Sequence, residues 1–219
     1  MKSSRGFSMQ VKGGQSFRER SFCMRQAILC LLASFLLSST ARAQGVPVFK
    51  IAPPPDSKVS FSVKASVAID GTFDKWDATL TYPSTDVEAG VLDIKAQAAS
   101  VNTGSNMKDG KLKSKDFFDA DHDPYITFHS TKIVQTGPNT FDIPGTFTIR
   151  GVSKPETLNL TATGTKGSGE GTITGMMAFD RKDYGMNSGI PFIKIADRVE
   201  VDVNLQVKRV SGPPLSFKQ

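Results

Sequence analysis

Val199 to Lys208 reads VEVDVNLQVK, and this alternation decides the fold class. Val199, Val201, Val203, Leu205 and Val207 share one face of an extended chain, while Glu200, Asp202, Asn204, Gln206 and Lys208 share the other, because successive strand side chains point to opposite sides. Such a segment has one face to bury and one to hydrate, the pattern of a strand in an antiparallel sheet.

The same period of two recurs through the chain and yields eight segments. Val59, Phe61 and Val63 share a face in the first. The second opens on Ile69, Gly71 and Phe73 and continues on the other parity with Trp76, Ala78, Leu80 and Tyr82, a phase slip that predicts a bulge or bend. The third presents Leu92, Ile94, Ala96 and Ala98, and the fourth, Tyr125 to Val134, turns Ile126 and Phe128 inward. Phe141, Ile143, Phe147 and Ile149 mark the fifth, with a kink expected at Pro144-Gly145. Leu158, Leu160 and Ala162 mark the sixth, Ile173, Met177 and Phe179 the seventh, and the quoted strand is the eighth. Between the third and fourth segments Met107 to Phe118 reads as one short helix, and a further turn is expected around Asn187 to Ile193.

Eight antiparallel strands with little helix favour an all-β closed barrel, since closure removes the sheet edges that an open sheet must defend. A two-sheet sandwich would bury the same faces and stays open as an alternative. An outer-membrane barrel would need aromatic girdles, and the chain has one Trp and three Tyr.

Upstream, Ala27 to Ser38 (AILCLLASFLLS) is an apolar core preceded by Arg25 and followed by Ala41-Arg42-Ala43, the layout of a cleaved secretory signal. It is short of the roughly 20 apolar residues that span a bilayer. The expected organisation is a signal peptide over residues 1–43, with 1–23 a possible extension before an alternative start at Met24. An extended lead-in carrying Pro53-Pro54-Pro55 follows over 44–56, then a barrel domain over 57–210 and a tail over 211–219. Cys30 lies inside the apolar core behind Ile28-Leu29, a poor lipidation site. The expected fate is secretion across the inner membrane. Residues 1–43 hold seven of the 27 Lys and Arg and one of the 21 Asp and Glu, so the rest carries 20 of each and is formally neutral. The overall pI of about 9.3 therefore does not argue for nucleic acid. Cys23 and Cys30 also lie in the signal, leaving neither thiol chemistry nor a disulfide to the mature chain.

Catalytic and metal readings are weak. Asp121-His122-Asp123 reads as a solvated loop before Pro124, and His129 lies on the parity opposite Ile126 and Phe128, facing out. No nucleophile elbow, phosphate loop, dinucleotide fingerprint or haem-attachment pair is present, so neither an enzyme nor a bound cofactor is expected. Lys111, Lys113 and Lys115 sit among Asp109, Asp116 and Asp119 and read as a solvated helix face, with a head-group patch as the alternative. Arg181 and Asp183 are expected to share a face and pair or bind backbone, with Gly185 supplying a turn of positive φ; lipid head-group binding is their alternative role.

Three stretches carry a family resemblance: DGKLKSKDFFDADHDPYITFHS (Asp109–Ser130), GTFTIRGVSKP (Gly145–Pro155) and FDRKDYG (Phe179–Gly185). In order and spacing they resemble the YceI-like family of periplasmic lipid-binding barrels, over roughly Lys50 to Lys208. One departure is Asp56-Ser57, where the family usually opens its first strand with His-Ser. The resemblance implies an eight-stranded, lipocalin-like barrel holding a long apolar lipid, of polyisoprenoid or quinone type, with transient membrane contact. Strand parity predicts the interior: Phe61, Val63, Phe73, Leu80, Leu92, Ile94, Ile126, Phe128, Phe147, Met177, Phe179, Val201 and Val203. Small inward residues (Gly71, Ala78, Ala96, Ala98, Gly175) are expected to leave width for a slender chain. A barrel with a solid core, acting in stress resistance through a protein partner, is the alternative. Oligomeric state has no signature in the residues.

Overall fold

The computed structural model describes residues 45–66, 68–164, 169–189 and 194–218. The expected signal peptide lies outside them. Among the described residues there are twelve strands: β1 (Val48–Ile51), β2 (Lys58–Ala65), β3 (Ile69–Phe73), β4 (Trp76–Thr81), β5 (Val91–Gln97), β6 (Val101–Asn102), β7 (Tyr125–Ser130), β8 (Val134–Gln135), β9 (Thr140–Ile149), β10 (Val152–Gly164), β11 (Glu170–Asp180) and β12 (Ile195–Ser211). One helix, α1 (Asn106–Lys113), lies between β6 and β7.

The twelve strands build eight staves, because β1 with β2, β3 with β4, β5 with β6 and β7 with β8 are interrupted halves of single runs. Each stave pairs antiparallel with the next in sequence. The 17-residue β12 closes the ring by pairing β2 along one half and β1 along the other. The result is an all-β, eight-stranded, closed up-and-down barrel with one helix.

The register of the opening stretch shows how alternation becomes an interior. On β11, Phe179, Met177, Gly175 and Ile173 lie opposite Val199, Val201, Val203 and Leu205, so inward rows meet inward rows. The phase slip in the second segment is the break at Asp74-Lys75, after which Trp76 takes over the buried parity from Phe73. Pro144-Gly145 lies within an unbroken β9, opposite Thr157 and Glu156.

Four expectations are corrected. The fold starts before Ser57: Phe49, Lys50 and Ile51 pair with Arg209, Lys208 and Val207, so part of the expected lead-in is a stave. The proline run interrupts that stave without ending it. Across the gap Ala52 N–H donates to Gln206 O (2.8 Å) and the buried Ser57 Oγ accepts from Gln206 N–H (2.9 Å), replacing ladder bonds that prolines cannot supply.

The helix stops at Lys113 rather than Phe118. Ser114 Oγ donates to Lys111 O (2.7 Å), a local bond that competes with helical continuation, and the chain turns back to bury Phe117 and Phe118. Third, Gly151–Pro155, which the sequence predicts as the turn between the fifth and sixth segments, turns only at Arg150-Gly151, and Pro155 already lies in β10 opposite Thr146. Proline is tolerated there because β10 pairs with β11 only from Asn159 onward, so its missing N–H falls on an unpaired edge.

The expected tail is also structured. β12 runs to Ser211, and residues 212–218 cross one end of the barrel as a strap. The turn expected around Asn187 to Ile193 falls partly outside the described residues, and Asn187–Gly189 carry no regular structure.

Candidate functional site

The barrel interior is divided. One cavity, of ≈ 90 Å³, lies towards the α1 end and is lined by Phe61, Val63, Phe73, Ile94, Ile126, Phe128, Phe147, Met177, Phe179, Val201 and Val203 among others. Leu80 and Leu92 line a second cavity, of ≈ 730 Å³, at the opposite end with Phe49, Tyr82, Phe141, Ile173 and Leu215. Parity therefore places all thirteen predicted side chains on cavity walls, but in two compartments.

A packed waist separates them. Phe128, Leu160 and Val203 fill the space that Gly145 and Gly175 leave: a Cβ added at Gly175 would sit 2.2 Å from Leu160 Cδ2 and 2.9 Å from Val203 Cγ2, and one at Gly145 would sit 2.7 Å from Phe128 Cζ. Gly71 is covered in the same way by the Phe61 ring, 2.6 Å away. This corrects the expectation that the inward glycines leave ligand width: larger neighbours occupy it. Gly175→Ala should destabilise the fold by about 1–3 kcal/mol through overpacking, read as a lower denaturation midpoint in urea.

At the α1 end the smaller cavity is closed by aromatic packing. Phe118 approaches Phe61 and Phe73 with ring centroids 6.1 and 6.0 Å apart. On the opposite wall Phe147 and Phe179 meet the fully buried Tyr184 edge-on, at 5.5 and 5.1 Å. The Tyr184 hydroxyl donates to Glu156 Oε1 (3.0 Å); burial, followed by that carboxylate, pushes the phenol well above its usual range.

Arg181 is the charged side chain on this wall; it binds backbone as expected, while its carboxylate partner is Asp197 rather than Asp183. Residues 181–184 form a 3₁₀ turn that ends at Gly185 in the left-handed region (φ 76°), so Arg181 and Asp183 do not share a strand face. The guanidinium pairs with Asp197 (3.0 Å) and donates to the carbonyls of Ala196 (3.2 Å), Ser188 (2.9 Å) and Met186. Asp183 instead faces Lys154 at 3.6 Å. With so many of its donors engaged, Arg181 anchors the segment after β11 to the start of β12.

Both histidines face solvent. His129 Nδ1 lies 2.5 Å from Asp93 Oδ1, and His122 Nδ1 lies 2.8 Å from Asp119 Oδ1, a bond that raises the His122 imidazole above its usual value. Lys111 is bound to Asp116 at 2.5 Å. Among the described residues no group of three His, Cys, Asp or Glu side chains could hold a metal, and no helix is long and apolar enough to cross a membrane.

A closed antiparallel barrel whose inner rows are apolar except for an arginine at either end is the architecture of a barrel that encloses apolar ligands or packs its own core. The YceI-like domain model matches residues 49–207, and the chain belongs to that family. It is 30% identical over 133 residues to a UPF0312 protein of Pseudomonas savastanoi pv. phaseolicola, covering 59% of this chain and 69% of that one. Among solved structures it is similar to BcnA of Burkholderia cenocepacia, with TM-score 0.62, 26% identity and coverage of 68% of this chain and 95% of that one. A polyisoprenoid binding domain from Saccharophagus degradans shares the fold at TM-score 0.58 and 16% identity, over 74% of this chain and 99% of that one.

Proposed function

We propose that the protein binds a long apolar lipid, of polyisoprenoid or isoprenoid-quinone type, inside the barrel, and that it works in the periplasm as a carrier, store or scavenger rather than as an enzyme. The observation that carries this reading is the pair of apolar cavities at the two ends of one continuous set of inward rows. The larger falls within the roughly 300–1,000 Å³ of small-molecule sites. Membership of the YceI-like family supports it, as does the shared fold of the Saccharophagus degradans domain.

Burying a tail from water contributes about 0.8 kcal/mol per methylene. A bilayer offers nearly the same, so exchange between membrane and barrel is close to balanced, which suits transfer and argues against irreversible capture. A tail long enough to use both compartments must displace the Phe128 and Leu160 side chains at the waist. That waist also favours the second reading, a solid-core barrel acting through a protein partner.

Native mass spectrometry with lipid extraction, on protein purified from its own periplasm, tests the first reading. An apolar adduct of defined mass supports it, and protein that is uniformly empty overturns it. Periplasmic location rests on the family resemblance, and export on the signal layout, which predicts that mature protein begins at Gln44. N-terminal sequencing checks this, and retention of residues 24–43 would contradict it.

A further inference from the structure

Two inward rows of the barrel end in arginine, at opposite ends. Arg181 follows Phe179 and is held by Asp197 and three carbonyls. Arg209 continues the row Val203, Leu205, Val207 on β12 and lines the larger cavity. It is half-buried, donates from Nη1 to Gly212 O (2.7 Å), and has no ion pair among the described residues. Two carboxylates at this end have their own lysines: Glu170 with Lys208 at 2.6 Å and Glu88 with Lys218 at 2.5 Å. Arg209 thus keeps guanidinium donors for an outside anion, over an apolar chamber.

The strap roofs that chamber. Ser216 N–H donates to Thr85 O (2.7 Å) and Ser216 O accepts from Val87 N–H (3.2 Å), while Gln135 and Lys218 exchange two bonds of 3.1 and 2.7 Å. Phe217 stacks towards Phe141 with centroids 6.3 Å apart. The strap and Arg209 both lie beyond the residues matched by the family model.

We propose that the chamber beneath the strap binds a single-tailed amphiphile with an anionic head, carboxylate or phosphate, its tail against Leu80, Phe141 and Ile173 and its head on Arg209. The proposal rests on the reading of the interior as a lipid site and adds a head charge to the ligand class. A planar guanidinium fork matches both oxyanions, and its value rises where water is excluded.

The test is calorimetric titration of the delipidated mature protein with dodecyl phosphate, dodecanoate and dodecanol, each below its micellar concentration. Both anions should bind at least about tenfold more tightly than the alcohol, the size of one charge-assisted bond. Arg209→Gln should close that gap while leaving dodecanol affinity within about twofold, and Arg209→Lys should keep part of it. Ala162→Trp, on the chamber wall, should abolish binding of all three. If Ala162→Trp fails to fold, the Arg209 variants decide.

Equal affinity for dodecanol and the anions in the parent, or a gap that survives Arg209→Gln, overturns the head assignment and leaves the lipid-site reading standing. Failure of all three probes to bind overturns both. A folded Ala162→Trp that binds like the parent overturns the location. The tighter of the two anions identifies the head, and either one leading supports the proposal.

Discussion

Arg181→Ala is expected to cost at least roughly 3 kcal/mol of folding stability, because three carbonyls and the Asp197 carboxylate lose a donor together and each buried acceptor left unpaired costs about 1–3 kcal/mol. Its side chain is only 8% exposed, so water cannot replace those bonds without opening the segment that joins β11 to β12. Arg181→Lys should fall between parent and Ala, since an ammonium cannot reproduce the fork. Urea denaturation followed by the fluorescence of the single tryptophan, Trp76, measures both. A variant with an unchanged midpoint would show that Arg181 is free to serve a ligand instead.

The same cluster sets an acid limit. Asp197 titrates below the usual carboxylate value, held there by its bond to Lys182 (2.7 Å) and further by Lys182 and Arg181 charge. Its folded value is lower than its unfolded one. The stability it contributes is therefore complete above about pH 4 and is lost as the pH falls through the depressed folded value. Arg181→Ala should lose less on acidification than the parent does.

The second large effect is expected at Ala96→Trp. Ala96 is buried on the wall of the ≈ 90 Å³ cavity, between Trp76 on one neighbouring strand and Ile126 on the other. If the chamber opens to a ligand, an indole there takes the ligand's space at modest stability cost; if the core is solid, it overpacks the wall and costs about 1–3 kcal/mol or more. The variant should also co-purify with less lipid than the parent. Thermal melting together with lipid extraction separates the readings. A variant that melts like the parent but comes out empty supports a ligand-filled interior. One that unfolds, from a parent that never carried lipid, leaves the solid-core barrel.

Much of this molecule was legible in the chain because alternation is a local property of extended backbone. Val199 to Lys208 needs no partner to declare which side is apolar, and the same holds for Ile126 and Phe128 or for His129 on the opposite face. Breaks in parity, such as that between Phe73 and Trp76, were equally visible. β1 was hidden because its four residues lie between Pro47 and a proline run, too short to show a period, and its partners, β12 and β4, are distant in sequence. Arg209 stood on the inward parity of the last strand, and continuing that row by one step would have found it.

The sequence by itself determined the all-β class, the inward residues and the membership of a recognisable family, since each follows from spacing along one chain. Only the tertiary structure decided how much room those residues leave. The waist forms where Phe128, Leu160 and Val203, from three different strands, meet over Gly145 and Gly175, and the division into two chambers follows from that convergence. The partner of Arg181 was decided in the same way, since Asp197 reaches it only through the pairing of β11 with β12. Packing volume and ion pairing depend on side chains distant in sequence arriving at one place, which no local period records.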